Sequence, residues 1–93
     1  MVTFDEAKSA VLTEARKVWH PGMGHLVIAP DGFESSTQWR VRAVAREELQ
    51  GDESFIQMDE PIYLVNKKTG EVTVTAYLVD QKRIDSMVPV HGQ

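Results

Sequence analysis

The sequence predicts an α+β fold, with an N-terminal helix packed on a four-stranded antiparallel β-meander. Three observations carry that expectation. Apolar residues recur at helical spacing only near the N-terminus. Downstream, the apolar stretches are short and alternate with polar residues as strands do. The joints between them are brief and rich in Gly, Pro, Asn and Asp, which favours connections between neighbouring strands.

The helix is expected from about Thr3 to Trp19. Thr3 and Glu6 form a Thr-x-x-Glu capping box, in which the hydroxyl accepts from the Glu6 amide and the carboxylate reaches back to the Thr3 amide. Asp5 and Glu6 lie at the positive end of the helix dipole, Arg16 and Lys17 at the negative end. Phe4, Ala7, Val11, Ala15 and Val18 make one apolar stripe, widened by Leu12 and Trp19; Lys8, Thr13, Glu14 and Lys17 occupy the other side. His20-Pro21-Gly22 ends it, because Pro21 restricts its predecessor and Gly22 can turn the chain.

Leu26-Val27-Ile28-Ala29 reads as a short strand that Pro30-Asp31-Gly32 interrupts as a turn or bulge. Gln38 to Arg46 is a second strand, with Trp39, Val41, Ala43 and Ala45 on one face and Arg40, Arg42, Val44 and Arg46 on the other. Glu47 to Glu53 is polar and suits a short turn of helix and a loop. Pro61 to Val65 and Glu71 to Tyr77 then form a hairpin around Asn66-Lys67-Lys68-Thr69-Gly70, with Gly70 supplying a positive φ. Val72, Val74 and Ala76 are assigned to the core face. A tail from Leu78 to Val88 has room for one more helical turn, and the end, Pro89 to Gln93, is expected to fray. A single helix of this length covers one face of the sheet, leaving Arg40, Arg42, Thr73, Thr75 and Tyr77 on an open polar face.

Ninety-three residues suffice for one domain with a thin core, so the whole chain, 1–93, is read as a single domain. Apolar residues are 42% and charged residues 26%, a globular balance without repeats or low-complexity segments. Cysteine is absent, which removes disulfide frameworks and thiolate metal sites. The opening Met1-Val2-Thr3-Phe4-Asp5-Glu6 carries acid where a secretory signal carries base, and no apolar run reaches the roughly 18 residues of a bilayer span. The expectation is a cytoplasmic protein without a membrane partner. A net charge of −4 argues against nucleic acid and favours basic protein partners.

No phosphate-binding glycine loop, nucleophile elbow or His-Glu-x-x-His motif occurs, so catalysis is not expected. His20, His25 and His91 lack a defined ligand spacing, and neither a metal nor another cofactor is assigned. Six carboxylates lie between Glu47 and Glu60 (Glu47, Glu48, Asp52, Glu53, Asp59 and Glu60) with no Lys or Arg among them. They suit either a patch that steers a basic partner or a solvated loop. Phe55, Ile56 and Met58 sit within this stretch, as the apolar centre of an interface or as a plug for the end of the core. Arg40, Arg42 and Arg46 suit pairing with these acids inside the fold better than nucleic-acid binding, because aromatics are not interleaved with them.

The segment Glu60-Pro61-Ile62-Tyr63-Leu64-Val65-Asn66-Lys67-Lys68-Thr69-Gly70-Glu71-Val72 resembles the closing hairpin of the YrhB-like family, also classed among immunity proteins of bacterial polymorphic toxin systems. The opening Thr3-Phe4-Asp5-Glu6-Ala7, the strand start Gln38-Trp39-Arg40-Val41 and the acidic Gly51-Asp52-Glu53 follow the family's order over roughly residues 3 to 79. Asn66 stands where Asp is common, and the stretch between Gly51 and Pro61 departs most. The resemblance implies an immunity protein that binds and neutralises a cognate toxin, expected to be basic, by direct contact. Glu47, Glu48, Asp52, Glu53, Asp59 and Glu60 would steer that partner, and Phe55, Ile56 and Met58 would anchor it. A chaperone-like activity has been attached to such proteins, so a small holdase is the alternative. A homodimer built through a free sheet edge or face is a third reading.

Overall fold

A computed structural model describes residues 1–56 and 60–91. Helix α1 spans Phe4–Arg16 and begins in the expected capping box. The Glu6 amide donates to Thr3 Oγ1 at 3.1 Å and the Thr3 amide to Glu6 Oε1 at 2.9 Å. It ends earlier than its apolar stripe suggests. The amides of Lys17 and Val18 donate three residues back, to Glu14 and Ala15, which tightens and closes the last turn. Val18 is left exposed, outside the stripe assigned to it. A 3-10 turn, Pro21–Met23, follows.

The sheet has five strands, ordered β4-β3-β2-β1-β5 and antiparallel throughout: β1 Leu26–Glu34, β2 Gln38–Ala45, β3 Ile62–Asn66, β4 Val72–Thr75 and β5 Val88–Val90. The first four form the expected meander. Pro30-Asp31-Gly32 does not end β1: the register shifts between Ile28, opposite Ala43, and Gly32, opposite Val41. Three residues of β1 there face one of β2, so the insertion is even and Ile28 and Gly32 keep the same face. Gly32 has no room for a side chain, because a Cβ would stand 2.4 Å from the Arg40 carbonyl oxygen and 2.9 Å from the Phe4 ring.

The hairpin between β3 and β4 shows what Asn66 does. Its Oδ1 accepts from the amides of Lys68 and Thr69, as an Asp carboxylate would, while Gly70 takes φ +78° and donates to the Asn66 carbonyl. Short helices complete the chain: α2 (Arg46–Leu49), a 3-10 turn at Glu53–Phe55, and α3 (Gln81–Asp85).

Two corrections follow from β5. The chain end is not frayed at Pro89, since Val88, Pro89 and Val90 pair with Glu34, Phe33 and Gly32. Strands β4 and β5 run in the same direction at opposite edges, so their connection has to traverse the sheet, about 19 Å at about 4.8 Å per strand. That crossing covers the face expected to be open. Ile84 and Met87 are buried against Ile62, Leu64 and Phe33, while Ala7, Val11 and Ala15 pack on the other face against Val41, Tyr63 and Val65. Strand β3 is therefore buried on both sides, which is why Ile62-Tyr63-Leu64-Val65 is an unbroken apolar run. Two of the polar residues assigned to the open face tether the crossing: Thr75 Oγ1 donates to Asp80 at 2.6 Å and the Tyr77 hydroxyl to Asp85 at 2.8 Å. At the edge, Val74 lies on the face assigned to it but is 56% exposed.

Candidate functional site

The acidic stretch divides into carboxylates that hold the fold together and carboxylates that face water. Glu47 belongs to the first group. The His25 amide donates to both of its carboxylate oxygens, at 3.2 and 3.0 Å, and His25 Nδ1 lies 2.7 Å from Oε1. These hydrogen bonds, side chain first and backbone second, hold the Glu47 carboxyl below the ordinary carboxylate range. Glu48 and Glu60 neutralise the arginine stripe of β2. Glu48 lies 3.7 Å from Arg42, and Glu60 lies 3.5 Å from Arg42 and 4.0 Å from Arg40. The internal pairing favoured from the sequence thus holds for Arg40 and Arg42. Arg46 has left the strand to open α2 and is exposed.

Arg40 is the least comfortable of these groups. Its Nε is buried without a hydrogen-bond partner among the described residues, its guanidinium lies over the Phe33 ring at 5.1 Å, and burial lowers its pKa despite the neighbouring Glu60.

Asp52 and Glu53 face solvent. Asp52 caps the 3-10 turn through Ser54, whose amide and hydroxyl donate to Oδ1 at 3.1 and 2.6 Å. Ile56 and Leu49 are exposed beside them, and Phe55 is half-buried. Met58 and Asp59 lie outside the described residues.

Phe55 lines an open cleft of about 750 Å³. Trp19, Pro21, Leu26 and Phe55 supply its apolar lining, and His25 with Glu47 its polar floor. The cleft depends on the loop after α1. The Trp19 indole donates to the Gly24 carbonyl at 2.8 Å, and Gly24 adopts φ +92°. A Cβ there would meet Glu47 Oε2 at 2.3 Å, Phe55 Cδ1 at 2.8 Å and Ala45 Cβ at 2.9 Å. Only glycine satisfies both the backbone and the space. Trp19, His25 and Leu26 were not singled out from the sequence as site residues, because the cleft joins three segments far apart in the chain and no local spacing announces it.

Among the described residues, no group of three or more His, Cys, Asp or Glu side chains is arranged to hold a metal ion. No described helix is long and apolar enough to cross a membrane. Comparison with protein-family models, curated proteins and solved structures finds no match to this chain.

Proposed function

We propose that this chain is a cytoplasmic immunity protein that binds a cognate bacterial toxin and neutralises it by direct protein–protein contact, without chemistry of its own. The observation that carries the reading is the corner formed by α2 and the following 3-10 turn. There, solvent-facing Asp52 and Glu53 and exposed Leu49 and Ile56 flank Phe55 in the chain, and Phe55 in turn lines a cleft with Trp19. An apolar centre with a charged rim is how protein interfaces are commonly built. Excess acid on an acidic domain suits a basic partner, with the rim charges governing encounter and the apolar groups residence. The resemblance of the hairpin and opening helix to immunity proteins points the same way.

Within this reading the nine acidic and apolar positions have distinct roles. Asp52 and Glu53, with Asp59, steer the partner; Phe55 and Ile56, with Met58, anchor it. Glu47, Glu48 and Glu60 act indirectly, by holding β1, β2 and α2 in place.

Affinity capture from the native lysate, followed by a toxicity assay, tests the proposal. One stoichiometric partner whose toxicity disappears when the chain is added is the expected result. With that partner in hand, the pair Asp52→Asn and Glu53→Gln slows association and flattens its salt dependence. A heterogeneous set of unfolded clients would instead establish the holdase, and a captured partner indifferent to both substitutions would remove this corner from the interface.

A further inference from the structure

The two edges of the sheet are built differently. β5 is three residues long and has Pro89 at its centre, with no amide to offer a neighbour. β4 has no such protection. From Val72 to Val79 the chain reads Val-Thr-Val-Thr-Ala-Tyr-Leu-Val, without a charge, proline or glycine and rich in β-branched residues. Val74, Leu78 and Val79 are 56, 84 and 77% exposed.

The direction of the unpaired backbone groups follows from the hairpin. The Asn66 amide donates to the Glu71 carbonyl at 2.9 Å, so Asn66 and Glu71 form a hydrogen-bonded pair. Alternation along an antiparallel ladder makes Leu64–Thr73 and Ile62–Thr75 the next such pairs. The amides and carbonyls of Val72 and Val74 therefore point outward. The free edge stops after Thr75, because the Ala76 carbonyl already accepts from the amides of Val79 and Asp80.

We propose that this edge pairs with a second copy of the chain, β4 to β4 and antiparallel, about a twofold axis through Thr73. Only outward-facing residues can pair with outward-facing residues, which restricts the symmetric registers to those centred on a single residue. A Val74-centred register needs the Ala76 carbonyl, which is occupied. The Thr73-centred register matches Val72 with the partner's Val74 and uses groups that have no partner among the described residues. It places Thr73 against its own symmetry mate, a favourable cross-strand pair, and Glu71 against the partner's Thr75, so no like charges are opposed. The two copies would share one continuous sheet. The interface is small, so the dimer is weak and forms with rising concentration. This proposal uses none of the residues of the acidic corner and does not rest on the immunity reading.

Sedimentation of the purified chain over a range of concentrations gives the first test, with reversible dimerisation expected. Val74→Lys, at a position already solvated, abolishes the dimer and leaves the circular dichroism unchanged. Because the chain has no cysteine, Thr73→Cys gives an independent test. A non-hydrogen-bonded antiparallel pair brings its Cα atoms to about 4.5 Å, within disulfide reach, so mild oxidation cross-links Thr73→Cys efficiently and Thr75→Cys poorly. A chain that stays monomeric at every concentration would overturn the proposal. So would a dimer that survives Val74→Lys, or one that cross-links through position 75 rather than 73.

Discussion

Glu47 grips His25 at three points, with both carboxylate oxygens on the His25 amide and one of them 2.7 Å from Nδ1. This clamp ties the first turn of α2 to the start of β1 and forms the floor of the cleft.

The clamp gives stability a definite pH dependence. The folded-state pKa of Glu47 lies below its ordinary 4.5, so the ionised carboxylate's contribution is complete above that ordinary value and is lost as pH falls through the lowered one. Glu47→Gln should therefore melt below the wild type at neutral pH and converge with it in acid. Thermal melts from neutral to acidic pH measure the difference. A constant gap at all pH values would show that the charge is not what matters.

Gly24 and Gly51 both have positive φ, +92° and +93°, but only Gly24 is crowded. Gly51→Ala meets nothing within 4 Å among the described residues and should cost only the backbone penalty, about 1–2 kcal/mol. Gly24→Ala adds contacts at 2.3–2.9 Å with Glu47, Phe55 and Ala45, and should cost clearly more. Urea denaturation of the two variants would rank them, and equal losses would contradict the packing around Gly24.

Ile84 carries the second core. It is 5% exposed and packs with Ile62, Leu64 and Met87. Ile84→Ala should destabilise the protein by about 2–5 kcal/mol, as other buried truncations do. A loss below about 0.5 kcal/mol, the size of an ordinary surface substitution, would mean that the crossing segment is not held against the sheet.

Arg40 and Glu60 should respond in opposite senses. Arg40→Met removes a buried, unpartnered Nε and leaves Glu60 with Arg42, so the melting temperature should hold or rise. Glu60→Gln strips Arg40 of its carboxylate and weakens the Arg42 network, so it should fall. Scanning calorimetry of both variants checks the ordering.

Features written in local chemistry were legible in the sequence. The capping box needs only Thr3 and Glu6, the hairpin only Asn66 and Gly70, and the meander only the alternation of its strands. The arginine stripe beside a run of acids likewise announced its pairing. What escaped depends on distant parts of the chain. Val88-Pro89-Val90 is too short, and its proline too discouraging, to read as a strand until β1 is there to receive it. The premature end of α1 accompanies the Trp19–Gly24 hydrogen bond, which no periodicity encodes. The acidic run reads as a single patch in one dimension. In three dimensions Glu47, Glu48 and Glu60, among its described members, turn to partners just before β1 and on β2.

The chain contains two tryptophans, and each indole donates to a backbone carbonyl outside α1: Trp39 to Val2, before it, at 2.9 Å, and Trp19 to Gly24, after the following 3-10 turn, at 2.8 Å. Trp39 also stacks beside Phe4 and beneath Lys67, whereas Trp19 borders the cleft. The molecule thus contains two native fluorophores in separate surroundings, which single Trp→Phe replacements would let an observer record one at a time. Emission from Trp19 would report events at the cleft, and emission from Trp39 the docking of the N-terminal segment, without attaching a dye to either.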